Sequence, residues 1–154
     1  MLLFRIGATR YAKDLSGEGA KLFGGRWNHP GTACIYAAGS RSLALLEYTA
    51  HARIDLIPRN LSFITIEVPD TTIREFSMGD LPGNWQQFPH PNETRNIMTR
   101  FLTENQYLIY KLPSAIIDEE WNYLINPAHQ EIAAVHIVEI KDYAYDLRLK
   151  RNDG

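Results

Sequence analysis

The sequence predicts an α+β fold, with mixed or antiparallel sheets and interspersed helices. Two observations support this prediction. Short runs rich in β-branched and aromatic residues recur along the chain, and residues 61–68 (LSFITIEV) form the clearest of them. The helical segments do not alternate regularly with these runs, as they would in an α/β protein. Because the 154 residues are 45% hydrophobic, we expect one compact domain with its own core, spanning residues 1–154.

Six strands are predicted from the apolar runs. One strand opens the chain, and residues 33–37 form a short run that is typical of a buried strand. Residues 61–68 are bounded by Asn60 and Pro69, which favour turns at both ends of a strand. The predicted strands are residues 2–6, 33–37, 61–68, 107–112, 133–140 and 143–149.

Two helices are predicted between these strands. Ser40 or Ser42 can cap a helix that runs to about Arg53, since a serine oxygen accepts a hydrogen bond from the free amides of a first turn. Asn92 can cap a second helix, which runs to about Gln106. The apolar stripe of this second helix comprises Ile97, Met98, Phe101 and Leu102.

The remaining segments are predicted mostly as loops. Residues 16–31 carry five of the ten glycines and are predicted to be irregular, because glycine is used where the backbone turns tightly or approaches a ligand. Residues 71–91 are predicted to be mostly loop, with a turn at Pro82-Gly83. A short helix is predicted within residues 118–125.

Composition excludes several classes of function. A formal net charge of −2 gives no broad attraction to nucleic acid or to an anionic membrane. Cys34 is the one cysteine, so an internal disulfide is excluded and a reducing compartment is expected. The N-terminal apolar run is too short for a signal peptide, and no run reaches membrane-spanning length, so we expect a cytoplasmic protein. The five histidines lack metal-ligand spacing, and no metal is expected.

Arg26 and Glu47 are the candidate site residues with the clearest chemistry. Arg26 follows two glycines, and its planar guanidinium suits paired contacts to phosphate oxygens. Glu47 lies in residues 32–52, where Arg41 is the one other formal charge, so its helix is predicted to be buried. A desolvated carboxylate can stabilise a developing positive charge such as an oxocarbenium ion. A structural ion pair of Glu47 with an arginine is an equally good interpretation of that residue alone, and for Arg26 alone a structural pair with a carboxylate is the favoured interpretation.

Three further polar or aromatic positions carry weaker signals. Tyr36 lies near the end of a predicted strand, where its ring could stack on a heterocycle, although core packing is the commoner role. Ser114 follows Leu112-Pro113, and without a nucleophile motif it is interpreted as a turn cap or a ligand hydrogen bond. Asn122, together with Asn126-Pro127 and His129, is interpreted as structural.

Several short segments together resemble the RES-domain proteins, which are named for Arg, Glu and Ser and are toxins of bacterial toxin–antitoxin pairs. Each segment alone is weakly specific, but their joint order and spacing, from residue 3 to residue 149, are fairly specific. The matching segments are residues 3–6 (LFRI), 16–20 (SGEGA), 24–28 (GGRWN), 43–47 (LALLE), 113–115 (PSA), 122–129 (NYLINPAH) and 146–149 (DLRL), with Gly31 and Tyr36 between them.

The resemblance implies a fold similar to ADP-ribosyltransferase domains and cleavage of the nicotinamide–ribose bond of NAD⁺, which is the substrate. By matching position, Arg26, Tyr36, Glu47 and Ser114 are the implied catalytic residues, and Asn28 joins Arg26, Tyr36 and Ser114 in binding NAD⁺. In this scheme Arg26 anchors the diphosphate and Glu47 stabilises the charge on the ribose carbon. Tyr36 stacks on nicotinamide, and Ser114 orients the ribose or the amide.

The resemblance also implies a partner, an Xre-type helix-turn-helix antitoxin that blocks the pocket and binds DNA, and it is compatible with a homodimer. Water, inorganic phosphate or a protein could accept the ADP-ribosyl group, so a glycohydrolase, a phosphorylase and a mono-ADP-ribosyltransferase remain alternatives. A ribonuclease is disfavoured by the acidic balance. A non-catalytic interaction domain, in which Arg26 and Glu47 pair structurally, is a further alternative.

Overall fold

A computed structural model describes residues 1–150, and a seven-stranded sheet forms its centre. In chain order, strands β1 to β7 are Leu2–Ala8, Ile35–Ala38, Leu61–Glu67, Ile73–Glu75, Ile109–Pro113, Trp121–Ile125 and His136–Tyr143. Their order across the sheet is β4-β5-β6-β2-β1-β3-β7. The short pair of β4 and β5 is parallel, and the other pairs are antiparallel. With helices interspersed among these strands, the predicted α+β class is confirmed.

Within residues 1–150, three α-helices accompany the sheet: α1 (Glu18–Phe23), α2 (Arg41–His51) and α3 (Asn92–Glu104). The predicted cap of α2 is confirmed at Ser40, whose Oγ accepts a hydrogen bond from the Leu43 amide at 3.1 Å. The predicted cap of α3 was wrong by one residue. Pro91 is its N-cap, and Asn92 is already helical. Among the helices of residues 1–150, none is long and apolar enough to cross a membrane.

Three local predictions were wrong. The glycine-rich segment contains α1, and residues 121–125 form β6 where a helix was predicted within residues 118–125. Residues 71–91 are mostly loop, as predicted, with the short strand β4 and one 3-10 turn within them. The apolar residues of β6 are held in a strand because β2 and β5 pair with both of its edges. The last predicted strand is a 3-10 turn at Leu147–Leu149, since Asp146 Oδ1 accepts a hydrogen bond from the Arg148 amide at 3.0 Å and starts a turn.

The helices α2 and α3 pack on the same face of the sheet. Phe4 of β1 lies opposite Ala38 of β2, and both pack with Leu43 and Ala44 of α2. Further along the sheet, the alternate residues Tyr110 and Leu112 of β5 and Leu124 of β6 pack with Met98 and Leu102 of α3. Side chains alternate between the two faces of a strand, so both helices cover one face. The opposite face of the sheet carries a separate apolar core cluster, which includes the strand residues Leu3, Ile64, Ile66 and Ile125.

Candidate active site

A cavity of about 340 Å³ opens on the face of the sheet that carries α2. Three of the predicted site residues line it, namely Arg26, Tyr36 and Glu47. The other two, Asn28 and Ser114, are fully buried and lie outside the cavity wall. The cavity volume is at the lower end of the range of roughly 300–1,000 Å³ that small-molecule sites occupy.

Glu47 is held at the cavity by two hydrogen bonds to one of its oxygens. Ser114 Oγ donates to Glu47 Oε1 at 2.7 Å, and Asn122 Nδ2 donates to the same oxygen at 2.6 Å. Oε2 makes no hydrogen bond within residues 1–150, and His51 Nδ1 lies 4.0 Å from it. The α2 helix is only half-buried, contrary to the prediction, and 21% of the Glu47 side chain is exposed. One oxygen is therefore fixed while the other remains available to a ligand.

Ser114 acts on Glu47 from behind the cavity wall. Its hydroxyl proton is committed to Glu47, and its oxygen also accepts hydrogen bonds from the Ile116 and Ile117 amides at 3.1 and 3.2 Å. The serine thus caps the turn that follows β5, which was one of the two roles predicted for it. The Ser114 hydroxyl proton is directed at the Glu47 carboxylate, and the Ser114 side chain is fully buried. In this arrangement Ser114 has no access to a ligand.

Asn122 is one of the cavity residues that sequence reasoning missed. The structural interpretation fits Asn126, whose Nδ2 donates to the Leu102 carbonyl at 3.0 Å, and it fits His129, whose Nδ1 accepts from the Glu131 amide. Asn122 instead lines the cavity and contacts Glu47. It reaches this place because β6 pairs with β2 in the register that sets Asn122 opposite Ala38. The pairing of β6 with β2 could not be predicted from the residues that neighbour Asn122 in the sequence.

Arg26 lies on the cavity wall without pairing with Glu47, since no nitrogen of its guanidinium comes within 4.0 Å of that carboxylate. Its Nη1 donates instead to the Trp85 and Gln87 carbonyls at 2.8 and 2.7 Å. Burial lowers the pKa of Arg26, and the negative charge of Glu47 opposes this shift. Because two carbonyls fix one nitrogen, Nε and Nη2 remain for an anion, and the structural ion pair left open by the sequence does not form.

The two positions before Arg26 require glycine for different structural reasons. Gly24 has a φ of 69°, a conformation that side chains with a Cβ rarely adopt. At Gly25, an added Cβ would lie 2.6 Å from the Tyr36 hydroxyl oxygen, so the glycine makes room for a protein side chain. Helix α3 holds this loop in place, since Thr94 Oγ1 donates to the Arg26 carbonyl at 2.7 Å and Arg95 Nε donates to the Gly25 carbonyl at 3.0 Å.

Asn28 and Tyr36 form a second support beneath the loop. The Tyr36 hydroxyl donates to Asn28 Oδ1 at 2.6 Å and accepts from the Trp27 amide at 3.1 Å. Asn28 Nδ2 donates to the Ala20 and Thr32 carbonyls at 2.8 and 3.0 Å. Burial raises the pKa of Tyr36 well above its ordinary value, so this phenol stays protonated. The polar atoms of Asn28 are therefore used inside the protein, and the ring of Tyr36 is what reaches the cavity.

Two histidines at the cavity were also missed. The rings of His51 and His90 lie 5.6 Å apart between centroids, and both residues line the cavity. Burial, together with the positive charges of Arg26, His51 and Arg95, lowers the pKa of His90 to about 4, so its imidazole is neutral near pH 7. Within residues 1–150, no group of three His, Cys, Asp or Glu side chains could hold a metal ion.

Comparison with known protein families and curated proteins gives a consistent result. Residues 2–148 match the RES domain family. A protein of Yersinia enterocolitica named Toxin Res is 38% identical over 152 residues, which cover 97% of this chain and 100% of that protein. A protein of Sphingobium sp. (strain YBL2) named Prs ADP-ribosylating toxin is 37% identical over 146 residues, which cover 93% of this chain and 91% of that protein.

A solved structure shares the fold. A chain of the crystal structure of the M. tuberculosis MbcT-MbcA toxin-antitoxin complex superposes with a TM-score of 0.76, covering 93% of this chain and 84% of that chain. The two sequences are 18% identical, so this likeness concerns the architecture.

Proposed function

The chain belongs to the RES domain family, and from this premise we propose that it is a toxin of a toxin–antitoxin pair that cleaves the nicotinamide–ribose bond of NAD⁺. One observation carries the proposal. Glu47 presents one free carboxylate oxygen to a cavity, with its other oxygen fixed by Ser114 and Asn122. Arg26 lines the same cavity and remains unpaired with Glu47.

The carboxylate is the group that this cleavage needs. When the bond between the ribose C1′ and the nicotinamide nitrogen breaks, the electron pair leaves with a neutral nicotinamide, and positive charge develops on the ribose carbon. Glu47 Oε2 would stabilise that charge, and a preorganised charge of this kind acts strongly in a site that excludes water. An acceptor then supplies an electron pair to C1′ and completes the transfer.

The other residues have supporting roles in this proposal. Arg26 would bind the diphosphate through Nε and Nη2, because its Nη1 already bonds to two carbonyls. The ring of Tyr36 would pack against the nicotinamide. Ser114 and Asn122 are positioning residues, since both hold Glu47 Oε1. Asn28 would act through Tyr36, because Asn28 Oδ1 accepts a hydrogen bond from the Tyr36 hydroxyl at 2.6 Å.

A second candidate function uses the same bond cleavage with a protein as acceptor. The relative from Sphingobium, 37% identical to this chain, is named an ADP-ribosylating toxin. A mono-ADP-ribosyltransferase would use Arg26 and Glu47 in the roles given above and would differ only in the group that attacks C1′. The two functions are therefore separated by their products.

The experiment that tests the proposal is product identification by mass spectrometry. The purified chain, free of antitoxin, is incubated with NAD⁺, with and without inorganic phosphate, and separately with NAD⁺ and cell lysate. Free nicotinamide with ADP-ribose indicates hydrolysis, and a phosphorylated ADP-ribose indicates phosphorolysis. Protein carrying ADP-ribose, formed only in lysate, indicates the transferase. A folded sample that leaves NAD⁺ intact under all three conditions contradicts both functions.

The proposed partner is an antitoxin of the Xre helix-turn-helix type that covers the cavity. Support comes from the relatives named Toxin Res and from the similar fold of a chain in a toxin–antitoxin complex. Contact with DNA would then occur through the antitoxin, in agreement with the formal net charge of −2. Co-expression followed by size-exclusion chromatography tests the complex, and the mass of the chain alone tests whether it forms a homodimer.

A further inference from the structure

Phe88 is an exposed aromatic residue directly beside the cavity. Phe88 is 76% exposed, so its ring is largely accessible to solvent. The Phe88 ring stands at 84° to that of His90, with 5.5 Å between their centroids. His90 itself lines the cavity. Phe88 therefore continues the cavity wall outward while leaving its ring accessible.

The loop that carries Phe88 is anchored to the site by ring stacking of Trp85 and by hydrogen bonds from Arg26. Trp85 is buried and stacks on Trp27, with ring centroids 6.3 Å apart and an interplanar angle of 27°. Arg26 Nη1 donates to the Trp85 and Gln87 carbonyls, and Gln87 directly precedes Phe88. The position of Phe88 is thus tied to Arg26, the residue to which the proposed function assigns the diphosphate.

The volume of the cavity leaves part of a dinucleotide outside. About 340 Å³ is at the small end for a site that encloses an ordinary small ligand, and NAD⁺ consists of two complete nucleotides. With the nicotinamide ribose at Glu47 and the diphosphate at Arg26, the adenosine half must leave the cavity past Arg26. That direction leads toward the loop whose Trp85 and Gln87 carbonyls Arg26 holds, and Phe88 follows Gln87 in this loop.

We infer that Phe88 is the stacking platform for the adenine ring of the dinucleotide, and thus a residue that selects NAD⁺ over its mononucleotide half. The inference rests on the proposed function for the placement of the other half. An aromatic ring stacks on any base because every base has a π face. Phe88 would therefore contribute to binding of the adenosine half without taking part in bond cleavage.

Phe23 provides a matched comparison. It is 83% exposed and directly precedes Gly24, which lines the cavity. Its ring makes no aromatic contact with any other ring of residues 1–150, whereas Phe88 contacts the ring of His90 on the cavity wall. The two phenylalanines are therefore alike in type and exposure but differ in their connection to the site.

The test measures binding of two fragments of NAD⁺ by isothermal titration calorimetry. Because nicotinamide mononucleotide still carries the nicotinamide–ribose bond, mass spectrometry of the titrated samples verifies that it remained intact. ADP-ribose carries the adenosine and the diphosphate, whereas nicotinamide mononucleotide lacks the adenosine. We expect Phe88→Ala to weaken ADP-ribose binding by about tenfold, since base stacking on an aromatic side chain contributes on this order. Nicotinamide mononucleotide should bind Phe88→Ala and the native chain equally, Phe88→Trp should retain ADP-ribose binding, and Phe23→Ala should behave as the native chain does.

Several results would overturn the inference. These are unchanged ADP-ribose binding by Phe88→Ala, equal weakening of both ligands, an equally large effect of Phe23→Ala, or no ADP-ribose binding by the native chain. Because Phe88 is exposed, the variants should fold, and equal thermal unfolding of all four proteins checks this. A chain that binds ADP-ribose through Phe88 but leaves NAD⁺ intact would support this inference while contradicting the proposed function.

Discussion

Replacing Glu47 by glutamine separates a catalytic carboxylate from a structural one. Both hydrogen bonds to Glu47 end on Oε1, from Ser114 at 2.7 Å and from Asn122 at 2.6 Å. A glutamine can place its carbonyl oxygen at that position and its amide at the position of Oε2. Glu47→Gln therefore retains both hydrogen bonds and removes only the negative charge that faces the cavity.

The expected cost to stability is small. A hydrogen bond to a charged group is stronger than a neutral one by about 1 kcal/mol. The two hydrogen bonds therefore limit the loss of unfolding free energy in Glu47→Gln to about 2 kcal/mol. The Glu47 side chain is 21% exposed, and this partial exposure reduces the loss further. Glu47→Ala should cost more, because it leaves the Ser114 and Asn122 donors without their acceptor, at about 1–3 kcal/mol for each donor that stays buried.

The expected cost to activity is large. Removing one preorganised electrostatic stabiliser from an active site slows the chemical step by about 10²–10³, which corresponds to roughly 2.7–4 kcal/mol of the barrier. The assay is NAD⁺ consumption together with urea unfolding of the same samples. Glu104→Gln is the control, since Glu104 is an exposed carboxylate at the end of α3, 46% accessible. Glu47→Gln protein that consumes NAD⁺ within about threefold of the native rate would refute this role.

Three further predictions follow from the supports of the site. Ser114→Ala removes the hydroxyl that holds Glu47 and caps the next turn, so the rate of NAD⁺ consumption should fall about tenfold with little change in KM. Ser114→Thr should restore part of that rate, and an equal loss of rate in both variants would contradict a role of Ser114 in positioning Glu47. Gly25→Ala sets a Cβ 2.6 Å from the Tyr36 hydroxyl and should destabilise the protein by about 1–3 kcal/mol in urea unfolding, whereas Gly19→Ala, with open space around it, should not. Burial and nearby positive charges lower the pKa of His90 to about 4, so the folded chain binds fewer protons than the unfolded chain, and the stability from neutral His90 is lost as pH falls from about 6.5 toward 4. His90→Asn should flatten that part of the melting temperature curve, and an unchanged slope would show that another group causes it.

Elements whose signals are local could be predicted from the sequence. The strand at 61–68 and the cap at Ser40 depend on residue types within a few positions, and both are confirmed. Strand β6 was mistaken for a helix because its five residues carry no strong period, and only pairing with β2 and β5 extends them. Strand β4 was missed for the same reason, since three residues become a strand only beside β5.

By itself the sequence determined the α+β class, the family, and the presence of Arg26 and Glu47 as site candidates, because periodicity, glycine spacing and motif order can be read along the chain. The tertiary structure alone decided which groups meet at Glu47. Ser114 and Asn122 lie 67 and 75 positions from it, and they converge on one oxygen only because the register of β2, β6 and β5 places them under α2. Contacts between segments so distant in sequence are set by strand pairing and packing, which leave no mark on neighbouring residues.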